Sequence, residues 1–231
     1  MTVVRNNSSN NVMEQMTTAG RKIEHASFDV VDQEAGSHNY TAGQWPLVRR
    51  MIHATADFEF NGLAQFHPDA IEAGIKAMIA GKPVLADVEM ICVGLSKPRL
   101  AHFSITTHQF ISDDDVIEKA KEQGGTRAVQ AMRKAAQQGL LNGGIVAIGN
   151  APTALLEVIR LIKEEGIKPS LIIGMPVGFV SAAESKEALS KLTELPWIIT
   201  QGRKGGTTLV VSAIHALLAE AIHREDTEDS A

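Results

Sequence analysis

Cysteine is almost missing from this chain: Cys92 stands alone among 231 residues. A single thiol excludes an intrachain disulfide and the usual paired-cysteine zinc patterns. Aromatic residues are scarce as well, with seven Phe, two Trp and one Tyr, so the core must be filled mainly by aliphatic side chains. No run of lysines and arginines occurs, and the formal charge is −5. That balance argues against general attraction to nucleic acid or an anionic membrane surface. An anionic small molecule would instead need arginines gathered at one place. No stretch approaches the roughly 18 consecutive apolar residues of a membrane span. Met1 to Asn11 is rich in Asn and Ser and has no apolar segment, so no signal peptide is expected there. The expectation is a reduced cytoplasmic protein.

What is present is an ordinary globular composition, 44% hydrophobic and 21% charged, which supports one large folded unit. Polar residues 1–11 and the charged tail 223–231 are expected to be disordered ends around a single α/β domain over 12–222. Within it, short apolar runs alternate with helical patterns. Pro83 to Val88, Ile145 to Ile148, Leu171 to Gly174 and Pro196 to Thr200 read as strands. Helices are expected over Trp45 to Asp57, from His67-Pro68 to Gly81, from a Ser112 cap to Gly124-Gly125, and from a Thr126 cap to about Gly139. Two more are expected, from Pro152 and from about Gly205 to Ala221. Continuous apolar strands between amphipathic helices predict a three-layer α/β fold, its mainly parallel sheet covered on both faces.

In such sheets, ligands bind beyond the carboxyl ends of the strands. Here those ends are small-residue loops: Gly149-Asn150-Ala151-Pro152, Gly174-Met175-Pro176-Val177-Gly178 and Gln201 to Gly206. Glycines there also serve tight turns. On the Trp45 helix, Arg50, His53 and Asp57 share an edge at i, i+3 and i+7. Imidazole titrates near neutral pH, so a histidine between a cation and a carboxylate suits proton transfer beside a bound anion. A solvated edge with local ion pairs satisfies the same spacing. Arg127 directly follows the Thr126 cap, where free backbone N–H groups and the helix dipole favour an anion; a plain surface charge fits equally well. Asp87 and Glu89 close a strand, either touching ligand or capping the next helix. Ser181 and Glu184 read as a capping box, and His102, His108 and His215 as structural. Neither a P-loop nor G-x-G-x-x-G occurs, so nucleotide binding has no specific support.

Several segments together resemble one family. Arg49-Arg50-Met51-Ile52-His53-Ala54-Thr55, Ala86-Asp87-Val88-Glu89-Met90, Thr126-Arg127, Ala147 to Leu155, Gly174 to Lys186, and Gly202-Arg203-Lys204-Gly205-Gly206 are similar, in order, to the precorrin-8X (cobalt-precorrin-8) methylmutases. The likeness runs from about Ile23 to Leu218. It implies an isomerase of cobalamin biosynthesis that moves a methyl group from C11 to C12 of a corrin-like tetrapyrrole, giving hydrogenobyrinate or cobyrinate. His53 would be the catalytic acid, and Ser27, Arg50 and Arg127 would bind substrate. The family often carries an arginine just before that serine, where this chain has His25-Ala26-Ser27. The resemblance also implies a homodimer with sites at the subunit junction. No cofactor and no protein-bound metal are implied, and any cobalt would arrive inside the substrate. The competing reading is a non-catalytic corrinoid-binding carrier.

Overall fold

The computed structural model describes residues 17–228; the expected disordered segment over 1–11 and the last three residues lie outside them. The chain opens with α1 (Thr18–Glu34), α2 (Trp45–Thr55), the short α3 (Phe60–Leu63), β1 (Ala64–Phe66) and α4 (Ala70–Ile79). It continues through β2 (Val84–Ala86), α5 (Glu89–Gly94), α6 (Lys97–His102), β3 (Thr107–His108), α7 (Asp114–Glu122) and α8 (Arg127–Gln137). The second half comprises β4 (Ile145–Ile148), α9 (Pro152–Glu165), β5 (Leu171–Gly174), α10 (Ala182–Ser190), β6 (Trp197–Thr200) and α11 (Thr207–Glu228).

The strands form one six-stranded sheet in the order β1-β6-β5-β4-β2-β3. Every neighbouring pair is parallel except β1 with β6. Strand side chains alternate between faces. Val84, Ala86, Ile145, Ala147, Leu171, Ile173 and Ile198 join one core with α2, α4, α5 and α11. Leu85, Val146, Ile148, Ile172, Trp197 and Ile199 join a second core with α7, α8, α9 and α10. Both faces are dry, which is why these strands read as unbroken apolar runs rather than alternating ones. Each fully buried Leu or Ile contributes about 1.5–3 kcal/mol. The three-layer α/β architecture expected from sequence is the one observed.

Some local expectations change. Strands β1 and β3 are not anticipated by the sequence pattern; at three and two residues they are too short to carry a periodic signal. α7 starts after Asp113 rather than Ser112. The Ser181–Glu184 capping box is absent, because Ser181 sits in the left-handed region at φ 60 and makes no side-chain cap bond. α11 runs to Glu228, so residues 223–228 are helical where a disordered tail was expected. Contacts to other helices hold that last stretch, among them Arg224 with Glu72 of α4 at 2.8 Å and Glu225 with the His102 imidazole at 3.1 Å.

His215 lies on the inner side of α11, where its Nε2 accepts a hydrogen bond from the Ser96 backbone N–H at 3.0 Å. Burial, reinforced by the charges of Arg99 and Arg50, pushes its pKa from 6.5 down to about 4. The ring is therefore a neutral acceptor in the folded state. Below about pH 6.5 the unfolded chain binds a proton that the folded chain refuses, so stability falls with pH until about pH 4. The loss from this one group is at most ~3 kcal/mol. Denaturation followed from pH 7 to 4 is expected to show this decline, and His215→Gln, which keeps an acceptor but does not titrate, is expected to flatten it. Identical pH profiles for the two proteins would refute the assignment.

Candidate functional site

The loops after the parallel strands meet at one edge of the sheet. Order along the sheet reverses between β2 and β4, since β3 lies beyond β2 while β5 and β6 lie beyond β4. That is the place where open α/β sheets leave a crevice. Asp87, at the end of β2 and fully buried, ties the two sides together. Its Oδ1 accepts from the Gly149 N–H at 3.0 Å, and its Oδ2 from Asn150 at 2.9 Å and Ala151 at 2.7 Å. Burial raises its pKa, and the three amides pull the other way. Of the two roles open to Asp87, the structure has it fastening the β4–α9 loop.

Close approach of backbones explains two of the glycines. A Cβ on Gly149 would stand 2.8 Å from the Thr207 Cα, and one on Gly205 would stand 2.4 Å from the Met175 carbonyl oxygen. The Gly206 N–H donates to that same Met175 carbonyl at 2.8 Å. The β5 and β6 loops are thereby pressed together beside α11. A cleft of 410 Å³ remains, bounded by Val88 and Met90, Gly149 and Asn150, Val177, and Gly205 to Leu209. Ala54 and Thr55, at the end of α2, complete its wall. A larger cavity of 690 Å³ lies between the α1–α2 connection and β1, lined by no residue of these loops. The strand-end cleft is the better candidate because the sequence motifs converge on it.

His53 is exposed on α2, immediately before the two cleft-lining residues. Its neighbour is Phe28 of α1, with ring centroids 5.0 Å apart. The guanidinium groups of Arg49 and Arg50 lie over the same Phe28 ring, 4.6 and 5.3 Å from its centroid. Arg50 also approaches Glu24 at 3.5 Å. Burial lowers its pKa, partly offset by that carboxylate, so Arg50 is a largely desolvated cation whose attraction for an anion is correspondingly strong. Ser27 stands beside Phe28 on α1 with its hydroxyl donating to the Ile23 carbonyl at 2.8 Å. Two of the four predicted residues, Arg50 and His53, thus meet at one phenyl ring, while Ser27 is that ring's neighbour in sequence with its hydroxyl turned to its own helix.

Arg127 is placed elsewhere. It is exposed at the first turn of α8, on the opposite helical layer. Thr126 caps that helix, accepting from the Val129 N–H at 3.3 Å, and its hydroxyl meets that of Thr153 at 3.0 Å. Arg127 therefore flanks the β4–α9 loop on the strand-end rim. Asp57 leaves the edge it was expected to share with His53. α2 stops at Thr55, Ala56 turns left-handed at φ 51, and the Asp57 carboxylate goes to Lys204. Sequence reasoning also missed Phe28, Glu24 and the buried Arg99, whose charge is felt by His215. Nothing local marks them, since each acts through a partner distant in the chain.

Fold and cleft together define a class: a three-layer α/β protein with a cleft at the carboxyl ends of its parallel strands, walled by small-residue loops and the end of α2. The family model for precorrin-8X methylmutase (CbiC) matches residues 22–220. The cobalt-precorrin-8 methylmutase of Leptospira interrogans serogroup Icterohaemorrhagiae serovar Lai (strain 56601) is 52% identical over 211 residues, 89% of this chain and 96% of that protein. A precorrin-8X methylmutase of a Sinorhizobium species is 36% identical over 86% of this chain and 93% of its own. The crystal structure of precorrin-8x methyl mutase from Thermus thermophilus superposes with a TM-score of 0.82 at 47% identity, covering 88% of this chain and 99% of that one. The chain belongs to the precorrin-8X methylmutase family, a family of isomerases.

Asp87 offers a direct test of how the cleft is built. In Asp87→Asn one acceptor oxygen becomes an NH₂ group facing a backbone donor, leaving at least one buried amide unsatisfied at a cost of about 1–3 kcal/mol. A lower free energy of unfolding is expected, with faster hydrogen exchange at Gly149 to Ala151. Unchanged values in both measurements would contradict the fastening role.

Proposed function

We propose that this chain transfers a methyl group from C11 to C12 of a corrin-like tetrapyrrole, with His53 as the general acid. The observation that supports this reading is the setting of His53: exposed on α2, one residue before two residues of the cleft wall, and sharing the Phe28 ring with the desolvated cation Arg50. A 1,5 methyl shift is intramolecular and requires neither a nucleophile nor a redox partner. Protonating the conjugated ring makes the migration terminus more electrophilic and favours the rearranged chromophore. Proton donation of this kind typically contributes ~10²–10⁴-fold. Arg50, Arg127 and Ser27 are assigned to the acetate and propionate side chains of the substrate, Arg50 beside the acid and Arg127 from the far rim. Cobalt-precorrin-8, giving cobyrinate, is taken as the substrate because relatives at 52% and 53% identity carry that name. The metal-free precorrin-8, giving hydrogenobyrinate, is the comparison substrate, and the setting is cytoplasmic.

His53→Ala alters an exposed helical position, so folding is expected to survive. The variant should bind corrinoid product normally yet fail to shift the substrate's absorption spectrum, because a proton donor matters chiefly in the transition state. Arg50→Ala and Arg127→Ala should each weaken product binding roughly ten- to a hundredfold, equivalent to about 1.5–3 kcal/mol. Near-normal turnover in His53→Ala would remove it as the acid. Loss of binding together with turnover would favour the carrier reading.

A homodimer is part of the same proposal. The cleft is open, and exposed apolar residues lie on the loop after β5 and on α5, two of the elements that supply its wall: Phe179 is 85% exposed and Val180 81%, with Val177, Met90 and Val93 also on the surface. Apolar area of this kind at a site's edge fits coverage by a second subunit. Sedimentation at micromolar concentration is expected to give a dimer. A fully active monomer would refute it.

A further inference from the structure

Lys186 is the largest fully buried side chain among the described residues. It lies on the inward stripe of α10 with Ala182, Ser185 and Leu189 and is 1% exposed. Among the described residues no carboxylate pairs with it. Its Nζ donates to the Lys204 carbonyl oxygen at 2.7 Å, with the Thr200 hydroxyl at 3.5 Å. An ammonium ion without a counter-ion is an expensive occupant for a core, and a methionine would fill the same space without that cost. Burial alone holds its pKa down to about 8. What the lysine adds over methionine is a donor aimed at one backbone carbonyl.

That carbonyl is at the centre of the β6–α11 loop. The Thr200 hydroxyl donates to it as well, at 2.7 Å, so the Lys204 backbone is gripped from two sides. Its side chain leaves the other way. The Lys204 ammonium reaches the Asp57 carboxylate and, at 3.0 Å, Glu59, and lies 5.9 Å from the centre of the Phe60 ring. Asp57 is itself held, its Oδ1 accepting from the Glu59 N–H at 3.0 Å and its own N–H donating to the Thr55 hydroxyl at 3.2 Å. Thr55 in turn donates to the Met51 carbonyl inside α2 at 2.8 Å. A continuous series of contacts thus runs from the core of α10, through the loop, to the end of the helix that carries His53. Both ends of the series supply cleft wall: Gly205 and Gly206 on one side, Ala54 and Thr55 on the other.

We propose that Lys186 is a positioning residue for the reaction: its buried ammonium sets the Lys204 backbone so that the Lys204 side chain can lock the end of α2 and fix the placement of His53 on that helix. This rests on the reading of His53 as the acid. It predicts a defect in turnover rather than in folding or in ground-state binding.

The test compares wild type, Lys186→Met, Lys204→Met, the double variant and His53→Ala in the full chain. Unfolding temperature, hydrogen exchange at residues 54–59 and 201–206, and kcat and KM on cobalt-precorrin-8 are measured for each. Lys186→Met is expected to unfold at the wild-type temperature or above, to exchange faster in both segments, and to lose about tenfold or more in kcat with KM little changed. The double variant is expected to be no worse than the poorer single one, because both break the same series. Lys186→Met with exchange and kcat within about twofold of wild type would overturn the proposal. So would a fall in unfolding temperature with kcat intact, which would make the lysine merely structural. Should Lys186→Met fail to fold, Lys204→Met carries the test, since its side chain is 41% exposed; unchanged exchange at residues 54–59 in that variant would overturn the proposal. His53→Ala separates the two readings. If it retains turnover, His53 is not the acid, and the exchange data still decide whether Lys186 locks the end of α2.

Discussion

The three hydrogen bonds accepted by the buried Asp87 carboxylate govern much of what surrounds the cleft. β2 and β4 are neighbours in the sheet, but their connections diverge, and a parallel pair whose chains part company leaves loop amides with no partner in the ladder. Asp87 supplies the missing acceptors for three successive N–H groups at once. Because those amides belong to the loop that starts α9, the carboxylate also sets where that helix begins, and with it the Thr153 hydroxyl that meets Thr126. The helix bearing Arg127 is thus fastened, at one remove, to the same buried charge. Buried acceptors of this kind are valuable because the alternative, an unpartnered amide in a dry interior, is so unfavourable.

Charge is distributed unevenly in this acidic protein. Arg50 and Arg99 are brought near one another and near a neutral His215, while other arginines pair with carboxylates, as Arg160 does with the exposed Glu164 and Glu165. Desolvated guanidinium groups attract anions more strongly than solvated ones. A net negative chain can therefore still present a locally cationic corner, and that corner coincides with the predicted site. Phe28 serves it as a platform, with two arginines and a histidine arranged about one ring.

Lysine plays two distinct parts on the far side of the cleft. Lys204 is a half-exposed ion-pair partner of a familiar kind, whereas Lys186 is a cation kept inside by hydrogen bonds to neutral groups. Their connection through one backbone carbonyl ties the small-residue loop after β6 to the core of α10. Glycine at 205 lets that loop pass close to the β5 loop, and the Gly206 N–H bonds the Met175 carbonyl there.

The sequence by itself determined the layered fold and the place of the cleft. Four continuous apolar strands flanked by helices admit few arrangements, since burial on both faces and small-residue strand ends are set directly by residue order. The candidates Ser27, Arg50, His53 and Arg127 came from motif resemblance; the spacing of Arg50, His53 and Arg127 by itself also fitted plain surface roles. The stripe of Ala182, Ser185, Lys186 and Leu189 also held a readable signal, a lysine at core spacing, though its target lay out of reach. Tertiary structure decided the rest: that Asp57 turns away to Lys204, that Phe28 sits under Arg50 and His53, that Ser181 caps nothing, and that α11 continues to Glu228. Each of these depends on a contact between segments far apart in the chain. Local periodicity reports which face of an element is buried, but not which distant charge, ring or carbonyl it will meet there.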